Sequence, residues 1–178
     1  ILACKAAGYD VIIAETSGIG QGDAGIIPHV DVAVYAMTPE FGAASQLEKI
    51  DMLDFADIVV INKFDRRGAD DALRDVRKQF QRNHERFEEA STEMPVYGTI
   101  AANFNDDGVT GVYEAVLKAF WERGLSRWES GYGDGVRVTS RRDLLIPGDR
   151  TRYLAEIAGT VRKYHANTSL QSDIIRQR

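Results

Sequence analysis

A single cysteine, Cys4, excludes any disulfide within the chain and fits a reducing, cytoplasmic setting. No motif surrounds Cys4, so it reads as a small buried residue rather than a nucleophile. No apolar run approaches the about 20 residues that a helical membrane span needs, which excludes that kind of membrane partner. Lysine and arginine form no block, and the net charge is −5; nucleic acid is therefore not an expected partner. The chain has no internal repeat and no low-complexity tract. It also has no G-x-x-x-x-G-K-[ST] loop to cradle phosphates. It opens on Ile1, not methionine. Ile1 to Gly8 reads as the end of a helix stopped by glycine, so the chain is expected to be an internal fragment of a longer protein.

What is present is an ordinary globular composition, 44% hydrophobic and 28% charged over 178 residues, enough for one domain and an appendage. Short apolar runs rich in β-branched residues predict strands buried on both faces at Val11 to Ala14, Val32 to Met37, Ile58 to Ile61 and Pro95 to Ile100. Between them, helical spacing predicts helices. Gly42 to Ala56 turns Leu47, Ile50 and Leu53 to the sheet. Asp70 to Glu89 buries Leu73, Val76, Phe80 and Phe87, with His84 packed on that side rather than holding a metal. Val109 to Arg123, after a polar turn at 103–108, carries Val112, Val116, Leu117 and Phe120. Alternating strands and helices predict an α/β fold with a mainly parallel sheet flanked by helices. The composition shifts near Glu122. Ser130 to Gly135 is too glycine-rich for regular structure, Val136 to Thr139 is a short extended piece, and Arg150 to Tyr164 is a helix with Leu154, Ile157, Val161 and Tyr164 on one stripe. A polar tail follows Ala166.

Two strand ends carry chemistry. The first run ends in Glu15-Thr16-Ser17-Gly18-Ile19-Gly20-Gln21. A carboxylate and glycines at the carboxyl edge of a parallel sheet suit magnesium and the close approach of backbone to a terminal phosphate. The third run ends in Asn62-Lys63-Phe64-Asp65. An aspartate two residues past the lysine can accept from both N–H donors of guanine, and adenine lacks that donor pair.

Asn62-Lys63-x-Asp65 resembles the N-K-x-D element of GTPases. Glu15 to Gln21 resembles the E-T-x-G-x-G-Q element of the G-protein chaperones that serve adenosylcobalamin-dependent acyl-CoA mutases. Gly18 to Asp23 and Met37 to Asp51 are similar to the fused form of that group, where the GTPase shares a polypeptide with isobutyryl-CoA mutase. The similarity runs over about residues 5 to 165. It implies a P-loop GTPase-like fold, second half only, with 1–121 the C-terminal part of the GTPase domain and 122–178 a partly helical linker toward the mutase's substrate-binding domain. It implies Glu15, through a coordinated water, and Thr16 at a magnesium ion, and Gly18 beside the γ-phosphate in a second switch that includes Gln21. Asn62, Lys63, Phe64 and Asp65 would hold guanine, with the backbone of Ile100 and Ala101 beside the base. Lys49 is the candidate in a third switch, the loop around Glu40 to Lys49, against the plainer reading of a helix-surface lysine.

The implied activity is GTP hydrolysis that gates cobalamin loading and protects a mutase interconverting isobutyryl-CoA and n-butyryl-CoA. The implied partners are the mutase domains of the same chain, in a cytoplasmic homodimer. GTP and Mg2+ belong to this segment; adenosylcobalamin belongs to the full-length protein, since no D-x-H-x-x-G segment is present. The phosphate loop and that segment would lie upstream, so the segment alone is expected to be inactive. Two other readings stay open: a stand-alone GTPase chaperone for methylmalonyl-CoA mutase or a metalloenzyme, and a nucleotide switch that does not hydrolyse.

Overall fold

The computed structural model describes residues 1–16, 24–42, 47–125, 136–140 and 152–176. The described chain forms α1 (Leu2–Ala6), β1 (Val34–Met37), α2 (Met52–Phe55), β2 (Ile58–Asn62), α3 (Ala69–Asn83), β3 (Val96–Thr99), α4 (Asp107–Glu122) and α5 (Tyr153–Arg176). The sheet order is β1-β2-β3. Both pairings are parallel, with Val34 opposite Ile58 and Val59 opposite Val96. This is the α/β architecture that the alternation of elements predicts.

The two faces of β2 explain why helices cover both sides of the sheet. Val59 and Ile61 point to one face, where they join Val76 and Phe80 of α3 with Leu47, Leu53 and Met94. Ile58 and Val60 point to the other, where Tyr97 joins them against Val112, Ala115 and Val116 of α4. A strand buried on both faces must be apolar at every position, and Ile58 to Ile61 are all buried.

Two compact units divide the chain. The first comprises 1–102 and 106–141; the second comprises 103–105 and 142–178. The extended piece expected at Val136 to Thr139 belongs to the first unit. Val138 bridges Gly98 in parallel, with Gly98 N–H donating to Arg137 (3.0 Å) and Thr139 N–H donating to Gly98 (2.9 Å). In the second unit, α5 has no buried residue.

Several boundaries differ from expectation. Val11 to Ala14 is not a strand and is not buried: Val11 is 39% and Ile13 89% exposed. A parallel strand exists only through a neighbour's hydrogen bonds, and no described strand pairs with this run. Of the helix expected over 42–56, residues 43–46 lie outside the described residues, Leu47 is helical, a turn follows at 48–49, and the short α2 covers Met52–Phe55. Leu47, Ile50 and Leu53 nevertheless reach the core. Helix α3 stops at Asn83 because Glu85 adopts φ 53. Glu85 N–H then bonds the Arg82 carbonyl (3.1 Å) and Arg86 N–H the Gln81 carbonyl (3.0 Å), a Schellman closure without glycine. Phe87 lies beyond it, 68% exposed. His84 is packed, stacked on Phe80 with ring centroids 4.0 Å apart. Helix α1 closes as expected at Gly8, with φ 77, while Cys4 is half-buried. The tail after Ala166 is helical to Arg176. No glycine or proline interrupts it after Gly159, and only such residues or a cap would have stopped it. No helix among the described residues is long and apolar enough to cross a membrane.

Candidate functional site

Strand β2 delivers Asn62 to the carboxyl edge of the sheet, and the chain turns there at once. Lys63 takes φ 59, a left-handed conformation that costs a non-glycine residue about 1–2 kcal/mol. Phe64 then returns inward and is only 9% exposed, which leaves Asp65 on the surface. The Phe64 ring occupies the space above Gly98, where a Cβ would lie 2.6 Å from it. Phe64 N–H donates to the Thr99 carbonyl (3.0 Å) and Arg66 N–H to the Lys63 carbonyl (3.0 Å). The turn is thus pinned to β3 on one side and closed on itself on the other.

Asn62 holds a second loop in place. Its Oδ1 accepts from Ala101 N–H (3.0 Å) and from the Thr99 hydroxyl (3.3 Å). Ile100 N–H donates to Asp106 Oδ2 (3.2 Å). Both backbone N–H groups that the resemblance places beside the base are therefore engaged within the protein, and they fix the position of the loop. The structure brings Asn62, Lys63, Phe64, Asp65 and Ala101 together on two neighbouring strand ends.

Asp106 was read only as part of a polar turn. It is 6% exposed and caps α4, accepting from Val109 N–H (2.9 Å) as well as from Ile100. Its other oxygen accepts from the Thr139 hydroxyl (2.5 Å). The next residue, Asp107, accepts from Ser140 N–H (2.8 Å) and from the Ser140 hydroxyl. Partial burial pushes the Asp107 carboxyl up, but hydrogen bonds from Ser140, the Thr139 side chain and the Gly108 backbone together outweigh it and hold the group below its ordinary range. An aspartate ahead of a helix is a legible cap signal; its bond to residue 139 is not.

A second pair was also missed. Arg66, just past the turn, forms an ion pair with Glu40, in the stretch assigned to a third switch. Hydrogen bonds from Thr38, the Glu40 backbone and Arg66 bring the Glu40 carboxyl down to about 2. Lys49 lies in that stretch on an exposed turn, not on a helix.

Glu15 and Thr16 are exposed on an irregular segment; Gly18 and Gln21 lie outside the described residues. Among the described residues no cluster of three or more His, Cys, Asp or Glu side chains could hold a metal. Magnesium is commonly held through one or two protein oxygens and completes its shell with water and phosphate. Glu15 and Thr16 supply a carboxylate and a hydroxyl of that kind.

A parallel sheet between helices, with Asn62-Lys63-x-Asp65 closing its middle strand, has the P-loop GTPase-like α/β fold. The chain belongs to a particular family of that class: the model of the Methylmalonyl Co-A mutase-associated GTPase MeaB matches residues 1–127. The chain is 57% identical over 180 residues to the fused isobutyryl-CoA mutase of Cupriavidus metallidurans, a match covering 100% of this chain and 16% of that protein. It is 61% identical over 174 residues to the fused isobutyryl-CoA mutase of Nocardia farcinica, covering 94% of this chain and 16% of the relative. A putative GTPase of Pyrococcus abyssi is 34% identical over 101 residues, 57% of this chain and 31% of that protein. The chain thus spans about one sixth of the length of the fused mutases that it resembles.

Proposed function

We propose that this chain is the base-reading and switching part of a GTPase that serves an adenosylcobalamin-dependent acyl-CoA mutase fused to it. The reading rests on one observation above all. The Asn62 to Asp65 turn stands at the carboxyl end of β2, and Asn62 clamps the neighbouring Thr99 to Ala101 loop beside it. Asp65 accepts from the two N–H donors of guanine. Lys63 lays its stem along the ring. Phe64 anchors the turn from below, and Ala101 borders the base.

Glu15, through a water, and Thr16 would hold the magnesium ion. When bound, that ion neutralises charge on the terminal phosphates as the phosphoryl group leaves. Gly18 lies close to the γ-phosphate, and Gln21 and Lys49 belong to loops that respond to its loss. Residues 1–121 are the GTPase part and 122–178 the linker.

The mutase interconverts isobutyryl-CoA and n-butyryl-CoA with adenosylcobalamin. No residue of this chain is assigned to that chemistry. The chain's role is to gate cobalamin loading and protect the mutase, within a cytoplasmic homodimer. The names of the similar fused mutases and the family match support a mutase on the same chain as the partner.

The test is Asp65→Asn in the full-length protein. GTP affinity should fall about a hundredfold, the scale of losing a charged bidentate contact, while xanthosine triphosphate binding improves. Unchanged GTP affinity would overturn the assignment of the base-reading residue.

A further inference from the structure

We infer that Asp106 is a positioning residue for the base-reading edge, and that through it guanine binding is coupled to the docking of the 136–140 segment. The inference rests on the guanine reading above and adds to it a connection between the nucleotide and the chain that leaves the sheet.

The geometry is a buried carboxylate shared by three elements. Oδ2 takes Ile100 N–H from the loop that borders the base, and Val109 N–H from the first turn of α4. Oδ1 takes the Thr139 hydroxyl from the outgoing segment. Ile100 is the immediate neighbour of Ala101, which Asn62 of the base-reading turn holds. A short relay of hydrogen bonds thus runs from Asn62 through residues 100 and 101 to Asp106 and on to Thr139.

The fit of helix and segment makes the relay stiff. A Cβ on Gly108 would lie 2.3 Å from the Gly98 carbonyl oxygen and 3.0 Å from Thr139 N. A Cβ on Gly111 would lie 2.0 Å from the Val136 carbonyl oxygen. Two glycines one turn apart let α4 press directly on the backbone of the outgoing segment. The loop cannot shift at Ile100 without disturbing Asp106, and Asp106 cannot turn without releasing Thr139. By linkage, a ligand that fixes the loop strengthens docking of the segment, and docking strengthens ligand binding by the same factor.

The experiment uses the full-length protein with GDP as the probe. Thr139→Val removes the hydroxyl donor at a residue outside the base-reading turn. It should weaken GDP binding about five- to tenfold, the low end of the usual coupling between sites, and Thr139→Ser should restore it. In the wild type, GDP should slow hydrogen exchange at the Gly98 and Thr139 amides, which close the bridge to the segment; in Thr139→Val that slowing should be lost. A merely structural threonine would leave the GDP dependence of exchange in place. If Thr139→Val binds GDP like the wild type, or if GDP leaves both amides unchanged, the coupling is overturned alone. A wild type without affinity for GDP removes the guanine reading and the coupling with it.

Discussion

Lys63 is the residue at which backbone and function pull apart. Its φ of 59 is a conformation that glycine takes at no steric cost, yet the position carries a lysine. The strained conformation turns the chain so that Phe64 can bury and Asp65 can face outward. Lys63→Gly relieves that strain but gives the unfolded chain more freedom, so the two effects on stability largely cancel. The variant should therefore unfold within about 1 kcal/mol of the wild type by denaturant titration, while guanine nucleotide affinity falls because the stem along the base is gone. A variant that keeps its affinity would reduce Lys63 to a turn residue. The place of Asn62 to Asp65 at the end of β2 was legible from residue types and spacing alone. The left-handed lysine was not, because a positive φ at a non-glycine residue leaves no mark in sequence.

Elements were legible where burial decides them and illegible where hydrogen bonds do. The periodic stripe of Leu73, Val76 and Phe80 marked α3 correctly, because one face of any such helix must leave water. Its end at Asn83 is set by a left-handed glutamate rather than by the usual glycine, so the pattern overran to Phe87. The run from Val11 to Ala14 has the composition of a strand but pairs with no strand among the described residues. Loop-to-loop pairs such as Glu40 with Arg66 carry no sequence signal at all. That pair makes a prediction with a definite sign. The Glu40 carboxyl titrates near about 2 instead of its ordinary 4.5, so it favours the folded state above the ordinary value, and this contribution disappears as the pH falls through about 2. Carboxyl titration by NMR should place the midpoint there and move it toward 4.5 in Arg66→Gln. Both groups are half-exposed, so raised salt should move it the same way. An unmoved midpoint in the variant would show that Thr38 and the backbone hold Glu40 without the arginine.

At the scale of the whole molecule, the first unit holds two apolar layers around β2, and in the second unit α5 has no buried residue. Leu154, Ile157, Val161 and Tyr164 are 74%, 44%, 48% and 69% exposed. The amphipathic stripe was legible in sequence, but a stripe says that a face is apolar and not what meets it. Charge introduced on that face should therefore leave the sheet alone. In the full-length protein, Leu154→Asp should change the opening free energy of the Ile58 to Ile61 amides by less than about 0.5 kcal/mol, as surface substitutions do. Val59→Asp should lower it by several kcal/mol, because it buries a charge with no partner. Native-state hydrogen exchange reads both from the same amides. A fall at β2 in Leu154→Asp comparable to that in Val59→Asp would mean that α5 and the sheet open as one cooperative body, and that the apolar stripe is part of what keeps the base-reading edge folded.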